Sequence, residues 1–299
     1  MTDLKIAVLG GGLMGAGIAQ IFAAAGYSVT VFEPSEDVRN SLEARTVQNL
    51  EMVGGDTNAV KRIKTVADLS DAVSDADYVT EAAPEKIDLK RSIFADLERL
   101  APRHAILASN TSVIPITKIV SGLETTDRML GNHWWNPPYL VPLVEVIQTE
   151  WTSVETIEKS MTLLKGIGKE PAHLKKDTTG FVGNRLQHAL WREAIAMIAE
   201  GICDPQTLDA CVKNSFGLRS AVIGPLENAD LIGLDLTLDI HSTMMPELDQ
   251  HNYPHELLQE NVAAGKLGFK SGEGFRAWSE TEMQDLRKTL IDHLVKSQS

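Results

Sequence analysis

Two groups of residues in this 299-residue sequence have the types and spacing that chemistry needs. The first is the run Gly10-Gly11-Gly12-Leu13-Met14-Gly15, a G-x-G-x-x-G pattern. Such a run is a weak signal alone and gains meaning when a strand feeds it and a helix leaves it. Gly10 then permits the tight turn, Gly12 lets a pyrophosphate approach the backbone, and Gly15 lets the helix pack on the sheet. Leu13 and Met14 open that helix, whose positive N-terminus receives the phosphate. Glu33 ends the next β-branched run, SVTVFE, 21 residues after Gly12. A carboxylate there accepts hydrogen bonds from ribose hydroxyls and repels a 2′-phosphate, so the expected cofactor is NAD rather than NADP. Pro34 and Ser35 follow with no adjacent arginine, and Arg39 lies further on. The second group is His133 and Glu145, inside HWWNPPYLVPLVEV. Two strands joined by a proline-rich turn can bring residues 12 apart side by side. A carboxylate facing an imidazole fixes its tautomer and stabilises the imidazolium. Abstraction of an alcohol proton needs that arrangement while a hydride leaves to a nicotinamide. A lone histidine on an apolar strand is more often a satisfied core residue, so spacing alone leaves both readings open.

The elements that must position these groups are legible in outline. KIAVL at 5–9 reads as a strand, IAQIFAAAG as a small-residue helix ending at Gly26, and SVTVFE as a second strand. Together they make one strand–turn–helix–strand unit of parallel type. Residues 35–52 read as a helix, 76–83 as a strand, and 88–101 as an amphipathic helix with Ile93, Phe94, Leu97 and Leu100 on one face. HAILAS (104–109), MLGNHWW (129–135) and LVEVIQ (143–148) read as further strands. This alternation implies an α/β fold with a doubly wound parallel sheet. After about residue 178 the pattern becomes helical: 180–200, 206–215, 228–245, 254–265 and 280–297. The expected organisation is a Rossmann-like nucleotide-binding domain over 1–178 and an all-α domain for substrate binding and dimerisation over 179–299.

Composition removes several classes of function. Hydrophobic residues are 43% and charged residues 23%, which excludes intrinsic disorder. The charge is −13 and aromatics are 5%, so a nucleic-acid partner is not expected. Cys203 and Cys211 sit eight apart with no partnering His or Cys pattern, which argues against a disulfide framework and against a metal site. From Ile6 to Phe32 the sequence carries no charge, yet Gly10, Gly11, Gly12, Gly15 and Gly17 interrupt that run. A membrane span with such a break is not expected, there is no basic segment ahead of it, and the reading is a soluble cytoplasmic protein.

Eight ordered motifs then converge: GGGLMG at 10–15, EAAPEKIDLK at 81–90, ASNTS at 108–112, HWWNP at 133–137, LVEV at 143–146, GFVGNR at 180–185, GPLENADLIGLD at 224–235 and GKLGFKSGEGF at 265–275. Over nearly its whole length the chain resembles the 3-hydroxyacyl-CoA dehydrogenase family. The resemblance implies that His133 is the catalytic base and Glu145 the carboxylate that orients it. It places Ser112 and Asn136 beside the substrate oxygen and the nicotinamide, and brings Asn184 into the site from the first helix of the second domain. It also implies that Glu85 and Lys90 approach the ribose and nicotinamide side of NAD and that Lys270 is a cofactor-side lysine. A homodimer assembled through the second domain is expected from the same resemblance and from apolar helix faces at Leu186, Leu190, Ile195, Ile198, Leu231, Ile232 and Leu234.

The sequence also departs from the acyl-CoA enzymes that it resembles. Their helical arm after the second strand carries hydroxyl and lysine groups toward CoA. Here that stretch is SLEARTVQNLEMVGGDTNAVKR, with no lysine between Lys5 and Lys61, and with Glu51 and Asp56 set against an anionic nucleotide. The usual Phe-Phe after the histidine is Trp134-Trp135, two flat faces for a substrate. Arg219, just before GPLENAD, resembles the branch containing carnitine dehydrogenase, gulonate 3-dehydrogenase and a pyridine-carboxylate dehydrogenase, and its planar fork suits a carboxylate. The expected activity is NAD-dependent dehydrogenation of a small carboxylate-bearing alcohol or aldehyde. A 3-hydroxyacyl-CoA dehydrogenase is the alternative, and a non-catalytic NAD-binding structural protein is a third reading.

Overall fold

The structure is a computed structural model and describes residues 4–297. Its first unit is a sandwich of helices on both faces of an eight-stranded sheet. In chain order the elements are β1 (Lys5–Leu9), α1 (Leu13–Ala24), β2 (Ser28–Phe32), α2 (Glu36–Met52), β3 (Ile63–Val66), α3 (Leu69–Val73), β4 (Tyr78–Glu81) and α4 (Ile87–Leu100). They continue with β5 (Ile106–Ser109), α5 (Ile116–Val120), β6 (Met129–Trp134), β7 (Leu143–Ile147), α6 (Val154–Gly166) and β8 (Glu170–Leu174). The strand order is β3-β2-β1-β4-β5-β6-β7-β8, so the sheet reverses its winding between β1 and β4. Ligands of such sheets bind outside the carboxyl ends of the strands at that point.

Side chains alternate across the sheet, and each set finds its own core. On β1, Ile6 and Val8 join Phe22 of α1 and Leu163 and Leu164 of α6 on one face. Ala7 and Leu9 join Phe94 and Leu97 of α4 and Ile116 and Ile119 of α5 on the other. Two strands correct the expectation of a parallel sheet. β7 runs antiparallel to β6, and β8 runs parallel to β7. Residues 135–142 connect β6 directly to β7, and a connection that short cannot hold the crossover that a parallel pair needs. β8, with Pro171 inside it, lies at the sheet edge, where a missing N–H is tolerated.

The remaining helices are α7 (Gly183–Ala199), α8 (Pro205–Lys213), α9 (Phe216–Arg219), α10 (Pro225–Ile232), α11 (Leu234–Met244), α12 (Glu256–Ala263) and α13 (Glu280–Lys296). The single helix expected over 228–245 is two, because Gly233 adopts φ +100° between α10 and α11. By its contacts the chain divides inside α7: the first unit runs to Arg185 and takes back the segment from Asp292, and the second is Leu186–Ile291. The start of α7 is bonded into the first unit, as the next section describes. Cys203 and Cys211 are free thiols. Among the described residues no helix is long and apolar enough to cross a membrane.

Candidate active site

The glycine turn leaves β1 at the reversal point. Gly10 has φ +101°, donates its N–H to Phe32 O at 2.8 Å, and a Cβ on it would lie 2.8 Å from Ala82 O. A Cβ on Gly15 would lie 1.8 Å from Gly10 O, so no larger residue fits the turn as built. Gly12, the N-cap of α1, faces open space, and no side chain caps the first turn of α1. This cradle fits a dinucleotide pyrophosphate: close backbone, unbonded helix N–H groups, and an open approach. Leu13 is exposed at its mouth, and Met14 packs inward against the core. Glu33 stands beside the turn, where Oε2 accepts from Gly11 N–H at 2.8 Å and Oε1 from Ser35 N–H at 2.9 Å. Two arginines of α2 complete the edge. Arg39 Nη1 donates to Glu33 O at 2.6 Å, and Arg45 Nη2 donates to Gly11 O at 2.7 Å. Sequence reasoning missed Arg45, because nothing local to α2 marks a contact with a turn 34 residues earlier.

His133 and Glu145 face each other in the β6–β7 register, and His133 Nδ1 lies 2.7 Å from Glu145 Oε2. Both side chains are buried. With Nδ1 donating to the carboxylate, Nε2 is the nitrogen left for a reacting group. Glu145 Oε1 accepts from Val182 N–H at 2.9 Å and Gly183 N–H at 3.0 Å, which ties the start of α7 to the dyad. Burial pushes the Glu145 carboxyl up, but the bond from His133 and the N–H groups of Gly183 and Val182 outweigh it and hold the carboxyl below its usual range. The imidazole lies between the rings of Trp135, 5.2 Å away, and Phe181, 5.5 Å away. Phe181 is fully buried at φ +53°, and the sequence reading had not singled it out. Gly183 is small for a reason: a Cβ there would lie 2.3 Å from Trp135 Cζ2.

The other expected residues sort by distance from this pair. Asn184 Nδ2 donates to Ser112 O at 2.8 Å, so the start of α7 is bonded to the Ser112 turn as well. Glu85 Oε1 accepts from Ser112 N–H at 3.1 Å and Val113 N–H at 3.2 Å, and from the Thr111 hydroxyl. Burial raises the Glu85 carboxyl, but the Thr111 hydroxyl, the Lys90 ammonium and those two N–H groups together hold it low. Asn136 is exposed in the connection after β6, directly beyond Trp135. Two expectations need correction. Trp134 is 2% exposed and packs edge-on against Phe22 in the core, so it offers no face to a substrate. Lys90 is fully buried, with Nζ 2.7 Å from Glu81 Oε1 and 3.5 Å from Glu85 Oε2. It is neither a solvated lysine nor a surface for a cofactor here; it acts on Glu85. Arg219, at the end of α9, and Lys270 both belong to the second unit and are exposed there.

The profile of the 3-hydroxyacyl-CoA dehydrogenase NAD-binding domain matches residues 5–178, and that of the 3-hydroxyacyl-CoA dehydrogenase C-terminal domain matches residues 180–278. A 5-formyl-3-hydroxy-2-methylpyridine 4-carboxylate 5-dehydrogenase from Mesorhizobium japonicum is 36% identical over 296 residues, 97% of this chain and 96% of the relative. A crystal structure of an enzyme of that name, described as an NAD+-dependent dismutase, has a TM-score of 0.91 at 33% identity and covers 100% of this chain and 98% of its own. A (S)-3-hydroxybutyryl-CoA dehydrogenase from Ralstonia eutropha has a TM-score of 0.77 at 34% identity, covering 92% and 99%. The chain belongs to the 3-hydroxyacyl-CoA dehydrogenase family. It is an NAD-dependent oxidoreductase acting on CH–OH groups.

Proposed function

We propose that this enzyme oxidises a small substrate bearing a carboxylate, of the pyridine-carboxylate, carnitine or gulonate kind, at an alcohol or a hydrated aldehyde. The observation that carries this reading is the segment 36–62. It packs onto α1 through Leu42, Thr46, Leu50 and Ala59, instead of standing free as an arm. Glu36, Asp37, Glu43, Glu51 and Asp56 face solvent on it. Its arginines, Arg39, Arg45 and Arg62, direct their guanidinium groups to backbone carbonyls. A surface with five carboxylates and one outward lysine, Lys61, repels the phosphates of CoA. The likeness to the pyridine-carboxylate dehydrogenase over 97% of the chain supports the same reading.

In the reaction His133 Nε2 accepts the proton of the substrate hydroxyl. Glu145 holds the Nδ1 proton and stabilises the imidazolium that results. When bound, NAD supplies the acceptor for the hydride leaving the same carbon. Ser112 and Asn136 orient the substrate oxygen, Asn184 keeps Ser112 in place, Trp135 covers the histidine, and Glu33, Glu85 and Lys270 serve the cofactor. Arg219 pairs with the substrate carboxylate. The test is NADH formation across carnitine, gulonate, pyridine aldehyde-carboxylates and 3-hydroxybutyryl-CoA, with Arg219→Ala alongside. A small carboxylate turned over best, with KM raised in the variant and kcat nearly kept, supports the reading. Best turnover of 3-hydroxybutyryl-CoA with a silent Arg219→Ala replaces it with acyl-CoA dehydrogenation. The working form in this proposal is a homodimer built through the second unit, where Val222 is 88% and Leu226 80% exposed. Light scattering at micromolar concentration measures that directly.

A further inference from the structure

Glu81 closes β4 at the reversal point of the sheet. Leu9 of β1 is its register partner on one side and Ser109 of β5 on the other. Its side chain is fully buried, yet both oxygens are engaged. Oε1 accepts from Lys90 Nζ at 2.7 Å and Ala83 N–H at 2.8 Å, and Oε2 accepts from the Ser109 hydroxyl at 2.6 Å. Lys90, equally buried, also donates to Ala83 O at 3.3 Å and lies 3.5 Å from Glu85 Oε2. Ser109 Oγ accepts from Thr111 N–H at 3.3 Å, and Thr111 in turn donates its hydroxyl to Glu85. The bonds form a closed path from Glu81 through Lys90 to Glu85, across to Thr111, and back through Ser109.

Buried ion pairs are a poor source of stability, since well-packed apolar residues replace them with little loss or with a gain. This pair lies where the strands end and the cofactor cleft begins, and its two arms finish on the turns that carry Glu85 and Ser112. We propose that Glu81 is a positioning residue for the cofactor cleft: through Lys90 and Ser109 it holds the 82–86 turn and the 110–113 turn in one fixed geometry. The inference rests on the NAD site and not on the identity of the substrate, so cofactor binding measured without substrate separates its failure from a wrong substrate assignment.

The experiment compares wild type with Glu81→Gln, Lys90→Met and the double variant carrying both. Each is measured for melting temperature, NAD+ affinity by protein fluorescence without substrate, and KM for NAD against kcat. The double variant removes both buried charges together and is expected to fold with a melting temperature near that of wild type. Its NAD+ affinity is expected to fall roughly tenfold, the order set by losing one or two positioned hydrogen bonds, with KM for NAD rising in step and kcat changing less. Without the ammonium beside it, Glu85 takes up a proton at higher pH. On lowering the pH, affinity in the double variant then begins to fall earlier than in wild type. If Glu81→Gln alone does not fold, the double variant decides. A folded double variant with wild-type NAD+ affinity overturns the proposal, and so does a loss of affinity whose pH profile matches that of wild type.

Discussion

Replacing Glu145 by glutamine changes one atom and tests the dyad at its hinge. In the structure Oε1 accepts two backbone N–H groups, from Val182 and Gly183, while Oε2 accepts from His133 Nδ1. Glutamine can keep the first set with its carbonyl oxygen, and its NH2 then points at Nδ1. A donor facing Nδ1 turns the imidazole over to the tautomer with hydrogen on Nε2, and that nitrogen can no longer accept a proton. The whole contribution of a positioned general base is then at risk, about 10²–10⁴-fold in kcat. We expect a fall of about 10³-fold, or roughly 4 kcal/mol of barrier, with NAD affinity unchanged. Alanine at the same position behaves differently. It leaves two part-buried N–H groups at the start of α7 without their acceptor, so stability falls along with activity. The assay is steady-state NADH formation with the best substrate, together with urea unfolding of each variant. The pH dependence has a definite sign. Glu145 is held below its ordinary value in the fold, so its contribution to stability is present above the ordinary carboxylate range and is lost as pH falls through the folded value. The stability gap between wild type and Glu145→Gln should therefore hold from neutral pH down to the ordinary carboxylate range and narrow only as pH falls below it. A Glu145→Gln enzyme with kcat within a few-fold of wild type would refute the reasoning.

Three further predictions follow from single contacts. Gly15→Ala drives a methyl group into Gly10 O, 1.8 Å from its ideal position, so the turn must open; NAD binding should be lost, with destabilisation of about 1–3 kcal/mol in thermal unfolding. Glu33→Ala removes the acceptor of Gly11 and Ser35 N–H and the ribose-side carboxylate; kcat/KM for NAD should drop roughly tenfold while that for NADP changes little, a comparison that steady-state assays make directly. Lys169 donates to Pro138 O and Val141 O from a buried position, and burial pushes its ammonium down to about 8. A lysine lowered by folding opposes stability below the folded value and is relieved as pH rises toward its ordinary one. Relative to Lys169→Met, wild type should therefore gain stability between about pH 8 and pH 10.5 in urea unfolding.

How far the site could be read from the sequence depended on whether each signal was local. The His133–Glu145 pair was legible because a short proline-rich connection between two apolar runs admits an antiparallel pairing, and the structure pairs the two in register. The alternation of that same strand also held the correction to Trp134. His133 and Trp135 share one face, so Trp134 must point to the other, where Phe22 waits. Lys90 carried a comparable signal. Phe94 and Leu97 follow it by four and seven residues, so Lys90 lies on the buried stripe of α4 and needed a carboxylate partner. What was not legible had no local period. β8 is five residues at a sheet edge with a proline inside, whereas α6 carries Ser153 as its N-cap and buried Ile157, Ser160 and Leu164 at helical spacing, a signal that the reading passed over. Arg45, Phe181 and the Glu81 path join residues from separate elements, and only the folded sheet brings them together.

The position of these groups explains why chemistry and binding can share one edge of the sheet without sharing residues. The glycine turn leaves β1, the Glu81–Lys90–Glu85 path begins at the end of β4, the Ser112 turn follows β5, and His133 lies one residue before the end of β6. β1, β4, β5 and β6 thus bring these groups to the same carboxyl edge, which is where a sheet with this reversal leaves a crevice. The antiparallel β7 departs from the pattern and returns along β6, carrying Glu145 back to His133. A parallel strand there would have needed a long crossover and would have delivered its carboxylate from a separate loop. The hairpin instead fixes Glu145 to His133 by backbone register, and the N–H groups of Val182 and Gly183 hold the far side of that carboxylate. His133 is therefore set by the sheet itself, while the segment after β8 packs against it with Phe181.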